Sequence, residues 1–218
     1  MSDSDRFAGL KKLPRRSVAE ILAETGGELD DDGIALDQPP EAVLAALDEK
    51  GDIPGQIRLL ARALPRREGI WWACLAGRDL QPEGRTWQSL QAAEDWVFKP
   101  GPATRKAALD AANAAAPEEE SDLCARAAYF VEPTKEESYI GPGMAPLMVE
   151  LMVLKSYLSV EPVAMEVWGR HLIDRGLDIA RGGNGTSLPA PELPTMPEEE
   201  ADEADEENSD VTPPAQTV

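Results

Sequence analysis

The feature that most constrains the fold is a pair of adjacent tryptophans, Trp71 and Trp72, inside the segment 64–74. Consecutive residues leave an α-helix about 100° apart. The two indoles therefore cover a broad face of a helix rather than a narrow stripe. Such a helix needs neighbours on more than one side, so the pair predicts a central helix packed among other helices. It does not by itself indicate a reaction.

The chain is strongly acidic. It has 41 acidic and 21 basic residues, for a formal net charge of −20. Ten of the acidic residues lie in residues 183–218, which contain no lysine or arginine. A protein of this charge is repelled by phosphate backbones, which excludes nucleic acid as the expected partner.

The sequence shows neither a membrane-span pattern nor a secretory-signal pattern. No apolar run reaches the 18 residues of a membrane span, so we expect no membrane association. The first residues lack the basic start and apolar stretch of a secretory signal. We therefore predict a cytoplasmic protein.

Helical periodicity recurs along the chain, and no stretch shows the sustained alternation of a strand. Ser17 and Glu20 form a capping-box pattern at the start of one helix. An apolar run predicts a second central helix at 146–157. The sequence thus predicts an all-α fold, a single compact multi-helix domain of about eight or nine short helices.

The domain boundaries follow from composition. We predict a flexible N-terminus at 1–12, the helical domain at 13–182 and a disordered acidic tail at 183–218. The tail cannot bury enough apolar surface to offset its ordering entropy. The connection 132–146 is a candidate lid or binding loop.

Two arginines, Arg66 and Arg67, precede the tryptophan pair at the start of its helix. The helix dipole disfavours cations there, so each should need a nearby carboxylate. One interpretation is a structural ion-pair network that includes Glu68. The other is a clamp for a partner's carboxylate, with Trp71 or Trp72 as a stacking platform.

The chain has five tryptophans. Most should belong to the core, while one or two are expected to line a binding groove, where tryptophan contributes strongly to affinity. Trp87 and Trp96 lie nine positions apart, on opposite sides of an ideal helix. We therefore expect one of them to be exposed, and Trp96 is the candidate.

No catalytic set emerges from the sequence. His171 is the only histidine, and the two cysteines, Cys74 and Cys124, read as isolated, free, buried thiols. Nothing has metal-ligand spacing, and no glycine-rich phosphate loop is present. We therefore expect no metal and no cofactor.

The segment 64–74 reads LPRREGIWWAC. It resembles a family of uncharacterised bacterial proteins whose shared segment reads roughly Leu-Pro-(Lys/Arg)-Arg-Glu-Ala-x-Trp-Trp-Ala-Cys. The similarity extends to Trp96, Pro100 and Arg105 and covers most of 13–182, although Gly69 stands where the family usually has alanine. The family has no assigned activity. Its members are encoded beside type VI secretion components, near spike-tip and effector-adaptor proteins.

The tryptophan-rich, arginine-bearing helix and the lack of a catalytic set, together with this resemblance, lead us to expect a non-enzymatic, cytoplasmic adaptor or chaperone-like accessory protein of a type VI secretion system. Its partner would be a secretion effector or a spike-tip component, and the oligomeric state is left open. The expected partner-binding residues share the family-matching face, and two neighbours are expected to be structural: Arg66, Arg67, Trp71, Trp72 and Trp96 for binding, Glu68 and Cys74 for structure.

Two alternatives stay open. The first is a hydrolase or small-ligand-binding protein with a tryptophan-floored pocket that uses Glu68, Cys74 or His171. An enclosed cavity where two polar side chains converge beside a tryptophan would favour it. The second is an acidic decoy, in which residues 183–218 occupy a basic partner.

Overall fold

The computed structural model describes residues 6–29, 33–117, 119, 121–132 and 140–195. Nine α-helices and one 3-10 helix, Pro162–Ala164, lie within these residues, and no strand does. The predicted all-α class is confirmed. The α-helices are α1 Val18–Thr25, α2 Pro40–Glu49, α3 Ile53–Ala63, α4 Arg66–Leu80, α5 Gln88–Phe98, α6 Pro102–Ala114, α7 Asp122–Phe130, α8 Met144–Tyr157 and α9 Met165–Arg181.

Local sequence explains where several helices begin and end. The Ser17–Glu20 capping box is present at the start of α1. Asp52 caps α3, because its side chain accepts a hydrogen bond from the Gly55 N–H at 2.8 Å. Leu64 is extended, as expected for a residue before proline, and it separates α3 from α4.

Two helices form the centre of the domain. Helix α4 contacts α3, α5, α7, α8 and α9, and α8 contacts α3, α4, α7 and α9. The segment 144–154 of α8 contains one charged residue, Glu150. This nearly uniform apolar character suits a helix that is surrounded by others. Both predicted central helices are confirmed, and α8 begins two residues earlier than the predicted start at Pro146.

Trp72 lies at the middle of this core. Its side chain is 0% exposed, and its indole N–H donates to the Leu172 carbonyl oxygen at 2.9 Å. Helix α9 approaches it closely at Gly176, where an added Cβ would lie 3.2 Å from both Trp72 Cε2 and Leu60 Cδ1. Trp72 therefore joins α4 to α9 and is a packing residue.

A buried ion triad links α3 to α8. Glu150 accepts from Arg58 Nε at 2.9 Å and pairs through its other oxygen with Arg62. The side chains of Arg62 and Glu150 are only 5% and 6% exposed. Arg62 Nε also donates to the Gly26 carbonyl oxygen at 2.7 Å, just past the end of α1. The sequence analysis missed this triad, although a single acidic residue in an apolar run was the available signal.

The N-terminal boundary of the domain needs a correction. Residues 1–5 lie outside the described part, but 6–12 pack on the helices and are not flexible as predicted. Phe7 and Leu10 are buried in the core. Arg6 pairs with Asp48 at 2.5 Å and with Asp174 at 2.8 Å. These contacts hold the segment against α2 and α9.

The predicted tail also begins later than residue 183. The Gly185 N–H donates to Asp178 Oδ2 at 2.8 Å, and Gly185 itself is buried against α4 and α9. Residues 196–218 of the predicted tail and residues 133–139 of the candidate lid lie outside the described residues. Among the described helices, none combines the length and apolar character needed to cross a membrane.

Candidate functional site

The two adjacent tryptophans have different environments. Trp72 points into the core, whereas Trp71 is half-buried at the surface. The Trp71 ring meets Phe98 edge to face, with centroids 5.7 Å apart and an interplanar angle of 61°. The guanidinium of Arg78 lies 5.0 Å from the Trp71 ring centroid, and the indole N–H donates to the Asn184 carbonyl oxygen at 2.7 Å. The indole is thus held in one orientation on the molecular surface.

Trp71 lies in an open groove of about 420 Å³, which we call the Trp71 groove. Phe98, at the end of α5, forms one wall and is 66% exposed. The groove draws on the segment before α1, helices α4, α5 and α9, and the chain that follows α9. Its lining residues are Lys12, Arg67, Glu68, Trp71, Val97, Phe98, Ile179, Gly183 and Asn184.

The two arginines at the start of α4 each donate a hydrogen bond to a backbone carbonyl. Arg67 Nε donates to the Val97 carbonyl oxygen at 2.6 Å, and Arg66 Nη1 donates to the Val131 carbonyl oxygen at 2.8 Å. These carbonyls lie at the C-terminal ends of α5 and α7, where helix carbonyls lack an intrahelical partner and attract cations. Among the described residues neither arginine has a carboxylate ion-pair partner, in contrast to the expectation that each would need one.

The positive charge of Arg67 is not neutralised by an ion pair with any described residue. Within the described residues, no carboxylate lies at ion-pair distance from Arg67 or Arg66. Glu68 pairs with Lys12 at 3.0 Å instead of with an arginine. Arg67 thus presents a positive charge, fixed in position, beside the exposed aromatic rings.

Three of the five expected binding residues remain accessible, and they do not share one surface. Arg67 and Trp71 line the Trp71 groove, whereas Arg66 lines a second cleft of about 250 Å³ between α1, α4 and the start of α8. Trp72 is fully buried, and Trp96 is buried too. The structure therefore removes Trp72 and Trp96 from any partner-contacting surface, and the binding role of the other three stays a prediction.

The reason for the error at Trp96 is the packing of α5. This helix contacts α4 on one side and α6 and α7 on others. Trp87 and Trp96 are consequently both buried, although they project in different directions. Sequence analysis missed Phe98 as the exposed aromatic residue. Its position one residue past the core residue Val97 was the only available signal.

The two cysteines are not isolated from each other. Cys74 on α4 and Cys124 on α7 are both free and 0% exposed, and these two helices pack against each other. Burial raises the pKa of the Cys74 thiol, and the neighbouring Cys124 and Glu94 add to the effect. A neutral, inaccessible thiol is a packing group and a poor nucleophile, and the structural role of Cys74 stays a prediction.

His171 is buried beside Trp168. Its ring stacks on that indole with centroids 5.2 Å apart, and its Nε2 has no hydrogen-bond partner among the described residues. Burial, with a smaller contribution from Arg175, lowers the pKa of His171 to about 4, and Asp174 opposes the shift. Neither His171 nor Cys74 lines the Trp71 groove or the second cleft, whereas Glu68 lines the groove.

The pKa of His171 gives a pH prediction. In the unfolded chain its pKa is near the ordinary 6.5, so between that pH and about 4 the unfolded state binds a proton that the folded state does not. The stability that neutral His171 provides is lost as pH falls through this window. We expect wild type to lose about 2 kcal/mol more unfolding free energy than His171→Gln between about pH 7 and about pH 4.5.

Urea denaturation at both pH values measures this difference. Carboxylates titrate in both proteins, so only the difference between the two pH dependences reports on His171. Parallel losses in wild type and variant would show that His171 takes up its proton without opposing folding.

Comparison with known proteins gives a family and no function. The model of a family of unknown function, DUF6931, matches residues 43–180. The match covers more than half of the chain, so the protein belongs to this family. It includes Arg67, Trp71 and Phe98 of the groove but not Lys12 or Asn184. Neither a curated protein nor a solved structure matches the chain.

Proposed function

We propose that this member of DUF6931 is a non-enzymatic adaptor or chaperone-like accessory protein that binds a protein partner in the Trp71 groove. One observation carries the proposal. A half-buried indole, a phenylalanine that is 66% exposed and an arginine with no carboxylate partner in the described part of the chain lie side by side in one open groove. Tryptophan and arginine in such a setting are the residues that most often dominate protein–protein affinity.

The groove is built on a rigid support, which favours binding. Trp71 immediately precedes the buried Trp72 on α4, and its indole N–H donates to the Asn184 carbonyl oxygen. Arg67 is held by the Val97 carbonyl. Side chains that are already ordered lose little conformational entropy when a partner binds, so more of the contact energy appears as affinity.

The chemistry of the groove describes its ligand. Phe98 and the half-buried Trp71 offer apolar surface to one side chain of a partner, and Arg67 offers a charge-assisted hydrogen bond to a nearby carboxylate. A short segment with an apolar residue next to an acidic one fits both features.

We further propose that the partner is a secretion effector or spike-tip component of a type VI secretion system and that the protein acts in the cytoplasm. This part of the proposal rests on the resemblance of the segment 64–74 to proteins encoded beside such systems. The absence of Cys74 and His171 from the groove and the Lys12–Glu68 pair within it support a binding role rather than a hydrolytic one.

Partner binding should depend on the groove residues. We expect Phe98→Ala or Arg67→Ala to weaken the affinity for the cognate spike-tip or effector protein at least about tenfold, as for residues at the centre of an interface. Isothermal titration calorimetry with the purified proteins measures the change, and circular dichroism establishes that each variant is folded.

The chain offers matched controls. Leu158 is 66% exposed, as Phe98 is, but it lies at the end of α8 and outside the groove. Arg85 is an exposed arginine without a described ion pair. Leu158→Ala and Arg85→Ala should leave the affinity unchanged. Equal losses in both sets, or full affinity in folded groove variants, would argue against the groove as the binding site.

A further inference from the structure

We propose that the acidic segment 198–210 of this same chain occupies the Trp71 groove and competes there with the partner. The inference concerns how partner access to the groove is regulated. Its effect on partner binding rests on the proposed function. The occupancy itself can be tested without any partner.

The path of the chain brings the acidic segment to the groove. Helix α9 ends at Arg181, and Gly183 and Asn184 then form part of the groove wall. The Asn184 carbonyl oxygen accepts the hydrogen bond from the Trp71 indole N–H. Glu198 follows Asn184 by 14 residues (198 − 184). The acidic segment is therefore tethered to the rim of the groove.

The tether has a suitable length. Residues 185–195 of this connection are described and contain Pro189, Pro191 and Pro194, which favour an extended, semi-rigid spacer. At the polyproline rise of about 3.1 Å per residue, fourteen residues keep Glu198 within about 43 Å of Asn184, which raises the local concentration of the segment at the groove. Even a weak intrinsic affinity then gives substantial occupancy.

Charge complementarity supports the same occupant. The segment 198–210 contains nine acidic residues and no lysine or arginine. At the groove, Arg67 has no carboxylate within ion-pair distance among the described residues, and Lys99 is exposed directly after Phe98. Arg67 and Lys99 therefore give the edge of the groove a positive charge that complements the segment.

Occupancy has a functional consequence. An intramolecular acidic segment that contacts Arg67 reduces the apparent affinity for an acidic partner until the partner displaces it. It also covers part of the exposed Phe98 ring while no partner is present. Both effects weaken as salt is added, because exposed charges are then screened.

Nuclear magnetic resonance of two full-length proteins tests the occupancy. One is wild type, and in the other every Glu of 198–210 is changed to Gln and every Asp to Asn. We expect the ¹H–¹⁵N shift differences outside the substituted segment to concentrate at the Trp71 indole N–H and at the amides of Arg67 and Phe98. Trp71→Phe assigns the indole signal.

Salt provides the second half of the test. Raising NaCl from about 20 mM to about 500 mM should move the wild-type groove signals toward their positions in the neutral variant, because the contact is electrostatic. Arg66 lines the other cleft, so its amide signal serves as the internal control. Shift differences that are absent from the groove, centred on Arg66, or dependent on protein concentration would each overturn the inference, the last by indicating a second copy as the occupant.

The two proposals are tested by separate experiments, so either one can be rejected without the other. If the groove signals do not differ, the acidic segment is not the occupant, and the partner titrations with Phe98→Ala are unaffected. If those titrations fail while the groove signals respond, the groove binds its own segment and the partner binds elsewhere. If both hold, the neutral variant should bind the partner about fivefold or more tightly than wild type at low salt.

Discussion

Trp72→Ala should lower the free energy of unfolding by about 4 kcal/mol, whereas the neighbouring Trp71→Ala should cost about 1 kcal/mol. Trp72 is fully buried against Leu60 and Gly176, so its removal leaves a cavity in the core. It also leaves the Leu172 carbonyl without its indole donor. Trp71 gives up a partly exposed ring contact and one surface hydrogen bond.

Urea denaturation of the two variants measures both losses. Trp72→Phe is the useful intermediate, because it keeps most of the volume and removes only the hydrogen bond to Leu172. We expect it to fall between wild type and Trp72→Ala. Similar losses for Trp71→Ala and Trp72→Ala would contradict the assignment of one indole to the core and the other to the groove.

Glu150→Ala should cost about 3–5 kcal/mol, because it leaves two arginines of the triad without their carboxylate. Arg62 is only 5% exposed, so water cannot replace the lost partner easily. The same change loosens the link from α3 to the end of α1, since Arg62 also holds the Gly26 carbonyl. The measurement is again the urea midpoint and slope of the purified variant.

An exposed ion pair is the control for Glu150. Asp110 pairs with Lys106 one turn away on α6, and both side chains are well exposed. Asp110→Ala should therefore cost about 0.5 kcal/mol or less. If Glu150→Ala is no more harmful than Asp110→Ala, the triad does not contribute to stability in the way its burial implies.

Local signals in the sequence predicted much of the secondary structure. The Ser17–Glu20 capping box, the break at Leu64 and Pro65, and the apolar run of α8 each depend on residues a few positions apart. Such short-range relations determine helix boundaries directly. The width of the tryptophan pair likewise predicted a central α4, because a helix with so broad an apolar surface needs several neighbours.

The candidate site depended on long-range contacts that local patterns do not encode. Adjacent indoles on one helix must diverge, but only the placement of α9 makes Trp72 the inner one. The carbonyl partners of Arg67 and Arg66, Val97 and Val131, lie 30 and 65 residues away along the chain. To predict these hydrogen bonds from the sequence, the positions of the C-terminal ends of α5 and α7 would have had to be known.

The edges of the groove likewise depend on long-range contacts that local sequence patterns do not encode. The groove joins Lys12, Trp71, Phe98 and Asn184 from four separate parts of the chain. The sequence analysis assigned residues 6–12 to the N-terminal segment and 183–186 to the tail, yet Phe7 and Gly185 are buried against the domain. Composition alone therefore placed the boundaries of the domain, at residues 13 and 182, too far inward.

Fluorine resonance of the protein labelled with 5-fluorotryptophan tests the central claim most directly, because each of the five tryptophans gives its own signal. When the cognate spike-tip or effector protein is added, the Trp71 signal should shift or broaden, while those of Trp72 and Trp96 stay in place. Binding that leaves the Trp71 signal unchanged, or that perturbs the buried tryptophans instead, would contradict the account.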